Sequence, residues 1–105
     1  MVVMKSIING KLYNTETAEY IHGISNGRSG NDVFYFEEDL YRTKKGQFFI
    51  CYDGGPMSKY GKWEGQQGYG TNGIKLLTED EAKTWLEENN VTEKYMELFE
   101  GIEEG

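Results

Sequence analysis

The stretch VFYFEEDLYRTKKGQFFICY, residues 33–52, decides the fold, because two β-rich runs flank a short glycine-containing turn. Residues 47–52 alternate, with Phe48, Ile50 and Tyr52 on one face and Phe49 and Cys51 on the other. The intervening TKKG suits a type I turn closed by a left-handed glycine. The sequence therefore predicts a β-hairpin with strands at 33–41 and 47–52.

The N-terminal residues predict a second hairpin. Asn9-Gly10 separates the apolar runs 2–8 and 11–13, and both turn residues tolerate positive φ. Residues 14–26 are ambiguous, because Asn14 or Thr15 could cap a helical turn while Ala18, Tyr20, His22 and Ile24 alternate as in a strand. We favour a turn followed by a short strand, and then a loop at 27–31.

The C-terminal third predicts a loop, a strand and two helices. Residues 53–73 hold seven of the 14 glycines and the only proline, without periodicity. A strand at 74–77 precedes a helix opened by the capping box of Thr78 and Glu81. Asn89-Asn90 ends that helix, and Thr92 is expected to cap another. The prediction is an α+β fold, in which a small antiparallel β-sheet of four to five strands is covered by two C-terminal α-helices.

Length and composition predict one soluble domain over residues 1–105. It comprises a β-rich part (1–52), a Gly-rich loop (53–73) and a strand followed by an acidic helical part (74–105). A net charge of −7 argues against direct nucleic-acid or anionic-membrane binding. The single cysteine and the absence of a signal-like or membrane-spanning segment predict a cytoplasmic protein.

The acidic excess lies entirely in the last quarter of the chain. Residues 1–78 carry eight acids and nine bases, whereas residues 79–105 carry ten acids and two lysines, net −8. On a continuous last helix, Glu93, Glu97, Glu100 and Glu104 would form one row opposite Tyr95, Leu98, Phe99 and Ile102. Such a row is either a solvated face or, together with Glu87 and Glu88, a phosphate-like surface that binds a basic groove.

The predicted Gly-rich loop contains the aromatic residues Tyr60, Trp63 and Tyr69. Aromatic side chains on such a loop are typical anchors of protein interfaces. The alternative is that they fold back over the sheet and complete the core. In either case, we expect the loop to determine specificity and the acidic helix to supply electrostatic attraction.

The residue types that carry chemistry do not predict an enzyme. In a strand, Glu37 and Asp39 point away from Glu38, so these acids are expected on an exposed edge rather than in a site. His22 is expected to be a half-buried strand residue, and Cys51 a small core residue. The glycine loop lacks the spacing of a phosphate-binding loop. No catalytic residue, metal site or cofactor is predicted.

Four stretches resemble a group of small proteins encoded on phages and conjugative elements of Gram-positive bacteria. They are IINGKLYNTETA (7–18), LYRTKKG (40–46), GGPMSKY (54–60), and LTEDEA with WLEE (77–82 and 85–88). Some small proteins from these elements are anti-CRISPR inhibitors of type II effector nucleases. The resemblance implies a mobile-element context and offers no catalytic motif.

Together these features predict a non-enzymatic anti-CRISPR inhibitor. It would bind a CRISPR effector nuclease, or another nucleic-acid-handling protein, and block target DNA binding by acidic phosphate mimicry. The alternative is an accessory protein-binding module of a mobile element that regulates replication or transfer. A small enzyme acting on a basic or sugar substrate ranks third.

Overall fold

A four-stranded antiparallel sheet is the centre of the structure. The computed structural model describes residues 4–105. Within that range the elements are β1 (Lys5–Ile8), β2 (Lys11–Asn14), β3 (Glu19–Ser25), β4 (Phe36–Arg42), β5 (Phe48–Gly54), β6 (Lys62–Glu64), β7 (Gln67–Tyr69), β8 (Thr71–Leu77), α1 (Glu79–Glu88) and α2 (Thr92–Leu98). The central sheet has the order β3-β4-β5-β8, while β1-β2 and β6-β7 form separate two-stranded sheets. The predicted α+β class, with antiparallel strands and two C-terminal helices, is confirmed.

The predicted central hairpin is present as β4 and β5. Gly46 closes its turn at a φ of 91° and donates its N–H to the Thr43 carbonyl at 2.9 Å. The first strand begins later than predicted, because residues 32–35 form a turn in which Asp32 Oδ1 accepts the Phe34 N–H at 2.8 Å. The second strand continues to Gly54, two residues beyond its predicted end.

The two faces of the central sheet carry two different core clusters. One face packs Ile21, Leu40, Phe48 and Ile50 against helix residues that include Trp85. The other face packs Phe49 and Tyr41 against Tyr13 of the N-terminal hairpin, with Cys51 at its margin. The alternation predicted for residues 48–52 is therefore confirmed, and the sheet lies between the helices and the first hairpin.

The N-terminal hairpin has the predicted turn. Asn9 and Gly10 adopt φ values of 53° and 77°, the left-handed pair that a two-residue hairpin turn requires. Residues 15–18 form a turn, and β3 follows, as favoured for the ambiguous segment. Residues 1–3, the start of the predicted first strand, lie outside the described range.

The predicted Gly-rich loop, 53–73, is not a continuous loop. Strands β6 and β7 form a hairpin within it, with Gly65 at a φ of 59° in the turn, and β8 begins at Thr71 rather than at residue 74. Both hairpin strands span three residues and are mostly exposed, so they carry no alternating apolar pattern from which the sequence could reveal them.

Helix α1 matches its prediction and α2 does not. The Thr78–Glu81 capping box is present, and Ala82, Trp85 and Leu86 are buried. Thr92 is the first helical residue rather than the cap, and α2 ends at Leu98. Phe99 leaves the helix in an extended conformation because its ring is buried beside Phe48, with ring centroids 5.7 Å apart. The prediction of one long acidic helix was wrong.

Candidate protein-binding surface

The predicted acidic residues occupy three segments rather than one helical row. Glu87 and Glu88 lie exposed at the end of α1, and Glu93 and Glu97 lie exposed on α2. Glu100 and Glu104 lie in the non-helical residues after α2, so they do not continue the row. Ile102, predicted on the buried side of the helix, is exposed for the same reason.

Salt bridges neutralise only a small part of this acidic charge. Glu97 Oε2 lies 3.4 Å from Lys94 Nζ, and Glu79 Oε1 lies 4.0 Å from Lys83 Nζ. Both pairs are on the surface. Exposed pairs of this kind contribute little free energy and exchange readily with solvent. Among residues 4–105, Glu87, Glu88 and Glu93 make no salt bridge. The helical part therefore presents a surface of solvated carboxylates.

The three aromatic residues predicted in the loop separate into two roles. Trp63 and Tyr69 lie on the β6-β7 hairpin and keep 55% and 43% of their surface exposed. The Trp63 ring covers Gly68 on the facing strand, where an added Cβ would come within 2.7 Å of the ring. Tyr60 instead folds back and stacks on Tyr52 at a centroid distance of 4.3 Å. Trp63 and Tyr69 are therefore exposed, as an interface anchor would be, whereas Tyr60 folds back over the sheet.

A buried carboxylate holds Tyr60 in place. Glu38 is only 3% exposed, and its Oε1 accepts a hydrogen bond from Trp85 Nε1 at 3.0 Å. Its Oε2 lies 2.7 Å from Lys59 Nζ and also accepts the Tyr60 hydroxyl. We call Glu38, Lys59, Tyr60 and Trp85 the Glu38 cluster. It joins the central sheet, the base of the β6-β7 hairpin and helix α1.

The prediction that residues 37–39 lie on an exposed strand edge was wrong. Strand β4 is an inner strand, paired with β3 on one side and β5 on the other. Glu38 shares the helix-covered face with Leu40, so it becomes buried when α1 packs there. A signal was present in the sequence, since Phe36 and Leu40 flank Glu38 at two-residue spacing on a single strand face.

The donors around Glu38 stabilise its charged form. Burial alone would raise the pKa of this carboxyl, but the hydrogen bonds from Lys59, Tyr60 and Trp85 and the lysine charge together lower it. Burial and the neighbouring carboxylate raise the pKa of Tyr60, which therefore keeps its proton and remains a donor. The cluster is consequently an ionised, fully hydrogen-bonded anchor at neutral pH.

The chain before the hairpin is tightly closed around this anchor. Gly55 and Met57 donate their N–H groups to the Tyr35 and Val33 carbonyls at 2.8 and 2.7 Å. Thr71 Oγ1 donates to the Tyr60 carbonyl at 2.6 Å and closes the hairpin base. At Gly61 an added Cβ would lie 1.9 Å from the Pro56 carbonyl oxygen, so only glycine fits. These contacts fix where the exposed aromatic residues project.

A groove of about 510 Å³ connects the anchor with the acidic helix. Lys59 and Tyr60 from the hairpin base, Thr84 and Glu88 from α1, and the buried Glu38 all line it. Of the residues predicted for specificity and for charge, Tyr60 and Glu88 therefore border a common depression.

The opposite face of β4 carries two further acidic residues, Glu37 and Asp39, and the environment of Asp39 disfavours its ionised form. Burial and the charge of Glu37 raise the pKa of Asp39. Burial and Glu37 also raise the pKa of Tyr35, to about 12. In the described part of the chain, residues 4–105, Asp39 has no hydrogen-bond donors like those around Glu38, so its ionised form is disfavoured rather than stabilised.

The single histidine and the single cysteine of the chain, His22 and Cys51, both lie on strands of the central sheet. His22 is half-buried on β3, with its ring 6.2 Å from that of Trp85 in an edge arrangement. Cys51 is half-buried, with Sγ 3.6 Å from Met4 Sδ, and burial and Asp39 raise its pKa to about 11. The expectations of a half-buried histidine and a core-packed cysteine are confirmed.

Residues 4–105 show no grouping of side chains or helix typical of a metal-binding or a membrane-spanning protein. Among them there is neither a group of three or more His, Cys, Asp or Glu side chains placed to hold a metal ion nor a helix long and apolar enough to cross a membrane. Comparisons of the chain with protein-family models, curated proteins and solved structures give no significant match.

Proposed function

We propose that this protein is a non-enzymatic inhibitor that binds a nucleic-acid-handling protein and competes with nucleic acid for its basic groove. The observation that carries the proposal is that exposed carboxylates on α1 and α2 and the exposed Trp63 and Tyr69 belong to elements joined through the Glu38 cluster, which ties the hairpin base to α1. The sequence resemblance to mobile-element proteins favours a type II CRISPR effector nuclease as the partner.

The carboxylates supply the part of the interaction that imitates nucleic acid. A guide-loaded nuclease lines its target channel with Lys and Arg side chains that contact phosphates. Glu87, Glu88, Glu93 and Glu97 offer negative charges on two short helices, and the residues after α2 add Glu100 and Glu104. Such a surface accelerates association with a basic groove and excludes the phosphate backbone from it.

The hairpin supplies the part that fixes orientation. Trp63 and Tyr69 have large exposed surfaces and few rotatable bonds, which suits residues that anchor an interface. Their base is held by the Glu38 cluster against α1. A partner would therefore meet the aromatic and acidic surfaces in a fixed relative position.

An accessory protein-binding module of a mobile element is the second candidate. The exposed Trp63 and Tyr69 also favour it, because an apolar contact needs no basic groove. Binding of this kind would depend on the hairpin and respond weakly to salt. The acidic helices would then serve only as a solvated surface.

DNA cleavage by a guide-loaded type II nuclease tests the proposal. We expect inhibition when this protein is added before target DNA, little inhibition when it is added afterwards, and weakening as salt rises. Inhibition in either order would contradict groove occupation. Absence of inhibition across several nucleases would favour the accessory module.

A matched pair of charge reversals tests the phosphate-like surface directly. Glu93→Lys with Glu97→Lys should raise the half-inhibitory concentration by about tenfold or more, equivalent to about 1.4 kcal/mol. Glu16→Lys with Glu19→Lys makes the same change in net charge on exposed residues outside the helices. Equal effects of the two double variants would show that only net charge matters.

A further inference from the structure

An apolar groove lies between the C-terminal end of α1 and helix α2. Its volume is about 350 Å³, and its apolar lining residues are Leu86, Val91, Tyr95, Met96 and Ile102. Leu86 and Val91 are buried and belong to the core beneath the groove. Met96 and Ile102 keep 59% and 53% of their surface exposed, so the groove remains open to solvent.

The surroundings of this groove are acidic. Glu87 lines it directly, and Glu93 follows the groove-lining Thr92 on α2. Glu100, Glu103 and Glu104 surround Ile102 in sequence. Within residues 4–105, no Lys or Arg lines the groove. The nearby Lys94 is paired with Glu97, and Lys83 lies 4.9 Å above the Phe99 ring.

This combination of an apolar floor and an acidic rim restricts what can bind. Nucleic acid and anionic lipid surfaces are repelled by the carboxylates, as is the same acidic surface of a second copy of this chain. A purely apolar segment would remove water from the rim without pairing its charges. A segment that has apolar side chains on one side and Lys or Arg on the other satisfies both parts.

We propose that this groove binds a basic amphipathic helix of the partner protein. Apolar side chains at i, i+3 or i+4 and i+7 would enter the groove, as in other helix-in-groove complexes, while basic side chains would contact the rim. The inference rests on the proposed function in one respect, the basic character of the partner. It adds an apolar anchor and a secondary-structure class that phosphate mimicry alone does not require.

Fluorescence anisotropy with synthetic peptides tests this proposal without any nuclease. The probe is a labelled 15-residue peptide of Leu and Lys, with Leu at i, i+3, i+4 and i+7 spacing. Its control has the same composition with the Leu positions scrambled, so charge is unchanged and the apolar face is lost. We expect the amphipathic peptide to bind about tenfold more tightly than the scrambled one.

Substitutions at two exposed methionines locate the binding. Met96→Asp should weaken binding of the amphipathic peptide by about tenfold, because it places a charge in the apolar groove. Met57→Asp makes the same change on the loop before the β6-β7 hairpin and should leave binding unchanged. Ile102→Ser, in the non-helical residues after α2, gives an independent variant of the groove wall. Circular dichroism checks that all three variants fold.

The outcomes separate this inference from the proposed function. Equal binding of the two peptides, absence of binding, or binding insensitive to both Met96→Asp and Ile102→Ser would overturn the groove proposal. Peptide binding with the expected discrimination supports it. Nuclease inhibition by the unmodified protein is measured separately, so its absence would overturn the proposed function while leaving the groove result standing.

Discussion

Glu38 is the residue on which the candidate surface depends most directly. Its carboxylate oxygens accept hydrogen bonds from Trp85 of α1 and from Tyr60 at the base of the hairpin, and they form a salt bridge with Lys59 on the loop before the hairpin. Removing one partner from a buried, hydrogen-bonded charge leaves the others unsatisfied, which costs more than an ordinary hydrogen bond. The next residue along β4, Asp39, has a raised pKa, so its charged form is disfavoured where that of Glu38 is stabilised.

Glu38→Gln should lower the free energy of unfolding at pH 7 by about 2 kcal/mol. The lowered pKa of Glu38 means that its contribution is present above the ordinary value of 4.5 and is lost as pH falls through the folded-state pKa. The difference between wild type and variant should therefore narrow in acid. Urea denaturation between neutral pH and about pH 3 measures it.

Asp39→Asn provides the matched control with the opposite sign. Because burial and Glu37 raise the pKa of Asp39 above its ordinary 3.8, keeping it ionised at pH 7 costs free energy. We expect this variant to be more stable than wild type at pH 7, with the gain shrinking as pH falls through the raised pKa. Destabilisation of equal size by both variants would contradict the assignment of roles.

At the scale of elements, the β6-β7 hairpin combines an exposed end with an anchored base. Within residues 4–105 its strands pair only with each other, and a two-stranded sheet of this length is not stable by itself. Its position comes from Tyr60, which stacks on Tyr52, and from Thr71, which bonds the Tyr60 carbonyl. Exposed and anchored aromatic residues should therefore differ in their effects on folding and on binding.

Trp63→Ala should change the free energy of unfolding by less than about 1 kcal/mol, whereas Tyr60→Ala should lower it by about 3 kcal/mol. Trp63 is half exposed, but Tyr60 packs on Tyr52 and donates to a buried carboxylate. Inhibition, in contrast, should weaken in Trp63→Ala. Chemical denaturation and the cleavage assay give the two readouts, and a large loss of stability in Trp63→Ala would place that residue in the core instead.

The sequence predicted those elements that are determined by residues close to one another in the chain. The β4-β5 turn, the Asn9-Gly10 turn and the Thr78–Glu81 capping box each depend on neighbouring residues, and all are present. The β6-β7 hairpin depends on contacts of its base with distant residues. The end of α2 likewise depends on Phe99 packing beside Phe48 rather than on the periodicity of its own residues.

The candidate site was predictable in its parts but not in its arrangement. Exposure of Glu87, Glu88, Glu93 and Glu97 follows from composition and helical spacing. The burial of Glu38 depends on which strands flank β4 and on which residue α1 places above it. Neither is encoded within the EED stretch itself, and the one local signal, the spacing of Phe36, Glu38 and Leu40 on a single strand face, does not show which face α1 covers.

At the scale of the whole molecule, negative charge is concentrated on one side of the sheet. The helices pack on the face that contains Leu40 and Ile50, whereas the first hairpin packs on the other. Because residues 79–105 carry net −8, the helical side is under electrostatic repulsion that its few exposed ion pairs do not offset.

The midpoint of thermal unfolding should therefore rise by about 5 °C between about 0.02 M and about 0.5 M sodium chloride. Glu93→Gln with Glu97→Gln should reduce this dependence, since it removes part of the repulsion. Glu16→Gln with Glu19→Gln should retain it. A midpoint that falls with salt would mean that the ion pairs outweigh the repulsion.

The order of the layers also bears on how the chain is made in the cell. The strands leave the ribosome before the helices, so Ile21, Leu40 and Phe48 remain without their cover until Trp85, Leu86 and Phe99 have been synthesised. Glu38 lacks its tryptophan donor for the same interval. A nascent chain stalled before α1 would therefore expose an apolar sheet face with a charge at its centre. Such a chain is a substrate for chaperones and proteases, and completion of α1 ends that exposure.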